Sequence, residues 1–308
     1  MRPTDTTFRS VLPTLVADAF SELPEVVAVV MAGSQEAGAM DGHSDIDLYV
    51  YSATPVDLAK RSAIAARFAT RREVGNDFWE PGDEWVHDLT GSVVDLMYRS
   101  PAWIEQELDR VLVRHEAAIG NSTCLWHNVL HSVALFDRGG WYRRLQAAAS
   151  VPYPEPLRRA IIAKNHPILR HTLSSYLHQI ELAVRREDRV SLQHRVTALL
   201  ASYFDVLFAL NRLPHPGEKR LLEFATTHCA IAPRDLKRRV HDLLAAAPTP
   251  AVIRHIGPLV DDLDRLVAAE QAPPPPEPEL RRPAVADLGR AWRDWAPSQP
   301  DQIALPYS

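Results

Sequence analysis

The chain has 308 residues, 46% hydrophobic and 24% charged, with a formal net charge of −5. That length allows one large or two ordinary domains with a buried core, and the composition is globular. There is no apolar run of the roughly 18 residues a membrane-spanning helix needs, and the acidic balance argues against a general nucleic-acid binder, which normally presents a basic surface. The opening MRPTDTTFRS lacks the basic start and apolar core of a secretory signal. Two cysteines, Cys124 and Cys229, are too few for a disulfide framework, so free thiols and a cytoplasmic location are expected, a bridge between them being the lesser alternative.

In chain order, TFRSVLPTLVADAFSEL has the spacing of an amphipathic helix interrupted early at Pro13. VVAVVMAGS is a β-branched run ending in glycine, a buried strand entering a turn. The loop QEAGAMDGHS leads to a second strand, IDLYVYS, and PVDLAKRSAIAARFA predicts a helix from Pro55. Residues 84–89 and 92–99 read as a hairpin around Thr90 and Gly91, and Pro101 opens a helix to about His115. Beyond about residue 120 the pattern becomes helix after helix. Residues 190–212 are the clearest, with Leu192, Val196, Leu199, Leu200, Tyr203, Leu207 and Leu210 on one stripe and LPHPG as the stop. Residues 273–276, four prolines, predict an extended linker before a short helix at about 284–295.

The chemistry concentrates in VVMAGSQEAGAMDGHSDIDLYVY, residues 29–51. Gly33 allows a tight turn and close approach of a phosphate, and Ser34 adds a hydroxyl and a backbone N–H. Asp45 and Asp47 alternate on a strand, so both carboxylates face the same way with α-carbons about 6–7 Å apart. Two carboxylates on one face are costly unless a cation or solvent neutralises them, and magnesium suits such all-oxygen ligands.

Gly-Ser, ten residues, then Asp-Ile-Asp-Leu, with strands on both sides, resembles the nucleotidyltransferase superfamily with the DNA polymerase β-like fold. The resemblance implies a third carboxylate on a neighbouring strand, and SVVDLMY supplies Asp95. Gly33 and Ser34 would then hold nucleotide phosphates, and Asp45 and Asp47 would ligate magnesium. Asp95 would complete a second metal site or accept the proton of an attacking hydroxyl. Two ions about 3.5–4 Å apart would stabilise the entering and leaving oxygens, with the protein contributing mainly positioning and charge neutralisation. Gln35 and Glu36 depart from many relatives, which carry a basic residue thereabouts. Later stretches, VRREDRV, LFALNR and HPGEKR, are similar to uncharacterised bacterial nucleotidyltransferase proteins, some near antibiotic-modifying enzymes.

Among the four lysines, Lys164 and Lys219 are candidates to reach a triphosphate, against the plainer reading of solvated surface lysines. Asp205 lies off the apolar stripe. It is either a general base for the acceptor or, as favoured, part of a solvated helix face with an ion pair. His127 and His131 have zinc-ligand spacing but no evident third ligand, and His171 and His178 likewise read as ordinary histidines. Trp79, Trp85, Trp126 and Trp141 read mainly as packing, with stacking on a base or an acceptor as the alternative. The acidic run 77–88, DFWEPGDEWVHD, is either a solvated loop or a surface that attracts a cationic acceptor such as an aminoglycoside.

The expectation is an α+β chain: a nucleotidyltransferase catalytic domain with mixed β-sheet and flanking helices at 1–118, an α-helical bundle at 119–270, and a proline-containing tail at 271–308. The expected reaction moves a nucleoside monophosphate, AMP from ATP or the corresponding group of another NTP, onto a hydroxyl with two magnesium ions. Gly33, Ser34 and Lys219 would bind the nucleotide. The expected acceptor is an antibiotic-like small molecule, with no membrane and no nucleic-acid partner. A protein-modifying, AMPylating toxin–antitoxin-type enzyme and a catalytically silent nucleotide-binding module are the alternatives.

Overall fold

A computed structural model describes residues 5–32, 45–78 and 80–271. The order is α1 (Asp5–Ser21), β1 (Val26–Met31), β2 (Ile46–Ser52), α2 (Leu58–Ala65), β3 (Arg71–Asn76), β4 (Gly82–Val86), β5 (Val93–Arg99) and α3 (Pro101–Leu112). Next come α4 (Cys124–His131), β6 (Val133–Asp137), α5 (Trp141–Ala149), α6 (Glu155–Asn165), α7 (Pro167–Arg170) and α8 (Tyr176–Arg185). The chain continues through α9 (Arg189–Leu210), α10 (Leu221–His228), α11 (Leu236–Ala246) and α12 (Val252–Gln271). Gly33, Ser34, Trp79 and the tail, including the helix expected at 284–295, lie outside the described residues.

Six strands form one mixed sheet in the order β3-β4-β5-β2-β1-β6. Only β2 and β5 run parallel; the other neighbours are antiparallel. The two faces feed separate cores. Val29, Leu48, Val50, Trp85, Val94 and Leu96 pack with Leu12, Val16 and Phe20 of α1 and Ile64 of α2. Ala28, Val30, Tyr49 and Tyr51 point the other way, into a core shared with α3, α4, α5 and the later helices. Through Val267 the described residues form one compact unit.

Local signals set most boundaries. Ser100 caps α3 by accepting the Trp103 N–H at 3.2 Å, with Pro101 in the first turn. The helix expected from Pro55 begins at Leu58, because the Asp57 side chain accepts from the Ala59 N–H at 2.8 Å and so acts as N-cap. The expected hairpin is present as β4 and β5, registered Val86 to Val93. Two strands go beyond the expectation: charged β3, RREVGN, and β6, VALFD, inside the stretch read as helix after helix. They are the two edges of the sheet. No helix among the described residues is long and apolar enough to cross a membrane.

Candidate active site

Strand register brings the acidic residues together. Asp47 of β2 lies opposite Asp95 of parallel β5, and Asp95 lies opposite Glu84 of β4. Glu84 in turn lies opposite Glu73 of β3. Directly opposed residues share a face, so Asp47, Asp95, Glu84 and Glu73 make one row across four strands. Alternation fixes which face it is. Ile46, Leu48, Leu96 and Trp85 are buried on the α1/α2 side, which turns the acids to the opposite side. Asp45 immediately precedes β2 and is exposed; Glu73 and Glu84 are also exposed, and Asp47 and Asp95 are half-buried.

Like charges directly opposed in a sheet are destabilising, and the electrostatics show it. Burial first, then the charge of Asp45, pushes the Asp47 carboxyl above its ordinary value, although Lys219 opposes the rise. Asp95 is raised by burial, then by Asp47, Glu84 and Asp45. Lys219 Nζ stands 3.5 Å from Asp47 Oδ2 with its side chain 82% exposed. Such an exposed pair contributes at most about 1 kcal/mol. An all-oxygen set with one cation beside it fits a hard divalent ion such as magnesium.

The Ala32 N–H donates to the Asp47 carbonyl at 2.9 Å, so the residue that follows β1 is held beside β2 at Asp47. Lys219 arrives on a loop anchored by buried His215, whose N–H donates to Thr123 Oγ1 at 2.7 Å. The Gly217 N–H donates to His215 Nδ1 at 3.0 Å, and Gly217 has φ +101°, a conformation that favours glycine. Deeper on the same face, Tyr49 OH accepts from Asn128 Nδ2 at 3.1 Å. The Arg99 guanidinium lies 4.1 Å from the Tyr49 ring centre and 4.8 Å from that of Trp103. Glu80 holds it from the side with two bonds of 2.8 Å.

The other candidates fall elsewhere. Asp205 corrects the expected solvated face: it is 1% exposed. It accepts from the Ser122 N–H at 3.0 Å, Ser122 Oγ at 2.5 Å and Asn165 Nδ2 at 3.1 Å, tying the 118–123 segment to α6 and α9. Lys164 Nζ donates to the Ala117 carbonyl at 2.6 Å. His127 and His131 stack at 3.9 Å between ring centres, and His131 Nδ1 is bonded to the His127 carbonyl. Trp85 and Trp126 are core residues, and Trp141 Nε1 donates to Glu105.

Burial pushes Asp205 up to about 6. The folded chain therefore holds this proton more tightly than the unfolded chain, where aspartate titrates near 3.9. The resulting stabilisation is full below pH ~4 and lost as pH rises through ~6, about 3 kcal/mol in all. Asp205→Asn should remove that slope. Urea unfolding of both proteins at pH 4 and 7.5 measures it, and parallel pH profiles would refute the assignment.

Residues 14–117 match the family model described as nucleotidyltransferase domain. None of the curated proteins compared matches the chain. Among solved structures the chain is similar to a nucleotidyltransferase-like protein from Exiguobacterium sibiricum 255-15, at TM-score 0.40 and 13% identity, over 87% of this chain and 76% of that one. It is also similar to the Thermotoga maritima CCA-adding enzyme complexed with tRNA_CCA, at TM-score 0.27 and 12% identity, over 84% and 80%. Likenesses this distant carry no argument about the acceptor.

Proposed function

We propose, on the premise that residues 14–117 are a nucleotidyltransferase domain, that this nucleotidyltransferase moves a nucleoside monophosphate, AMP from ATP in the simplest case, onto a hydroxyl of a cationic small molecule in the cytoplasm. The observation that carries the reading is the register of Asp47 with Asp95 and its continuation through Glu84 to Glu73 on an exposed face.

Asp45 and Asp47 would hold magnesium, which when bound polarises phosphate oxygens and offsets the charge that develops during transfer. Gly33 and Ser34 would take the phosphates, and Lys219, already beside Asp47, would add a positive charge to the same end. Asp95 would either complete the second metal site or, free of an ion, accept the proton, a role suited by a carboxyl raised by burial and by its acidic neighbours. As the acceptor oxygen bonds to the α-phosphorus, the bond to the bridging oxygen breaks. Pyrophosphate leaves, and the hydroxyl proton passes to Asp95 where that carboxylate is free of an ion. Glu84 and Glu73 extend negative charge away from that point along the sheet, which suits an acceptor carrying several amino groups.

Incubating the protein with NTP, magnesium and a panel of aminated and neutral polyols, followed by intact-mass measurement, tests this. A gain of one nucleotidyl group on aminated members is expected. A gain on a protein instead would reassign the acceptor. No transfer anywhere, with ATP binding unaffected by Asp45→Ala, would reduce the chain to a silent nucleotide-binding module. Glu73→Gln and Glu84→Gln should each raise the acceptor KM by up to about fivefold, from at most about 1 kcal/mol per exposed ion pair. The KM for ATP should stay constant, and the acceptor effect should fade in high salt.

A further inference from the structure

Histidines outside the carboxylate row make a second constellation. His166 caps the end of α6, His171 follows α7, and Asp264 projects from α12. Asp264 Oδ1 lies 2.6 Å from His166 Nε2 and 3.3 Å from His171 Nε2. The three donor atoms all lie within 4.8 Å of one another. We propose that His166, His171 and Asp264 bind a transition-metal ion of the zinc class, independently of the nucleotide site.

The spacing suits such an ion. Zinc bonded to nitrogen and oxygen at about 2.0–2.1 Å in a tetrahedron holds its donors about 3.3 Å apart. The observed separations, 2.6 and 3.3 Å to Asp264 Oδ1 and none above 4.8 Å, bracket that value. Two imidazoles and one carboxylate leave a fourth position open, and imidazole favours zinc, cobalt, nickel or copper over magnesium. The two rings are 5.3 Å apart at 51°, tilted rather than stacked.

The surroundings complete the pattern. Arg170 bonds to Asp264 Oδ2 and is shared with Asp261, so it fixes the carboxylate while leaving Oδ1 toward His166. A metal-ligating carboxylate is commonly held in this way through its other oxygen. An ordinary ion pair would account for Arg170 on Asp264 but not for two further imidazoles converging on the same carboxylate, His166 at Oδ1 and His171 at 3.3 Å from both oxygens. The side chains of His166 and Asp264 are 17% and 21% exposed, and that of His171 is 47% exposed, which gives an ion a way in. Because the ligands come from α6, the α7 end and α12, a bound ion would tie helices distant in sequence and raise the melting temperature.

The test uses the full chain with zinc or cobalt as the added ion, in excess magnesium. Equilibrium dialysis with elemental analysis should find one zinc per chain more than in the His166→Gln/His171→Gln double variant. Cobalt should give visible d–d bands in the wild type and lose them in that variant. His171→Gln alone, at the most exposed ligand, should keep the metal-free melting temperature and weaken zinc binding by at least about tenfold, as even supporting residues of such sites can cost that much. Asp47→Asn should leave zinc binding unchanged. Equal zinc content in wild type and His171→Gln would overturn the proposal. Zinc lost with Asp47→Asn but kept by both histidine variants would do the same.

Discussion

Asp47→Asn is expected to lower kcat for nucleotidyl transfer by about a thousandfold or more while leaving the protein as stable as before or slightly more so. The first half follows from losing a carboxylate proposed to hold the metal, since a bound ion contributes several kcal/mol of charge stabilisation and each 1.36 kcal/mol is about tenfold in rate. The second half follows from register. Asp47 is opposed by Asp95, with Asp45 close by, so removing one charge relieves repulsion. Pyrophosphate release at saturating ATP and magnesium, paired with thermal melting, reads both. A variant within tenfold of wild-type turnover would sink the proposed role, and Asp95→Asn should behave alike. This pairing of lost activity with retained stability separates a working carboxylate from a scaffolding one.

Asp83 supplies the contrast. It is fully buried on the opposite face from its neighbour Glu84 and accepts from Arg61 Nε at 3.0 Å, the Gly75 N–H at 2.8 Å and Tyr98 OH at 2.5 Å. Arg61 Nη2 also bonds to it and to the Gly82 carbonyl at 2.7 Å, and the guanidinium lies over the Tyr98 ring. Asp83→Ala leaves a guanidinium buried without its counter-ion and should cost about 3–5 kcal/mol. Replacing both partners, Arg61→Met with Asp83→Leu, should recover much of that loss, because the price of a buried ion pair is largely its desolvation. Urea denaturation midpoints measure both variants. A single variant within 1 kcal/mol of wild type, on the order of a typical surface change, would contradict the assignment.

Sequence patterning reached the centre of the sheet and missed its rims. β1, β2 and β5 are β-branched, alternate and lie between neighbours, so their identity and the facing of Asp47 and Asp95 follow from period two. β3 and β6 are short edges. The charges of RREVGN erase the apolar alternation, and VALFD directly follows a helix, so neither carries the usual signal. Without β3 the partner of Glu84 could not be seen. Trp85 inside GDEWV was the available hint, because an inward tryptophan turns Glu84 outward.

Asp205 was misjudged for a different reason. The stripe on α9 is real, but from Ser202 to Leu210 every residue is buried, so no solvated face exists there. The run YFDVLFAL, apolar on all sides of one aspartate, already announces a surrounded helix. His166 went unremarked because its partner Asp264 is 98 residues away. Lys219 was legible only as a candidate; its approach to Asp47 depends on the His215 anchor and the Gly217 turn, which spacing alone does not encode.

The position of β3 gives the acidic row another consequence. Among the described residues β3 pairs only with β4, so its outer backbone N–H and C=O groups lie along the rim of the sheet. An open strand of this kind invites pairing with the same strand of another molecule. Two such rims meeting in parallel register would set Glu73, Arg71 and Arg72, all exposed, each against its own like charge. Charge on this rim therefore protects the protein from its own copies. Replacing Glu73, Arg71 and Arg72 with valine would turn this rim into a template for aggregation.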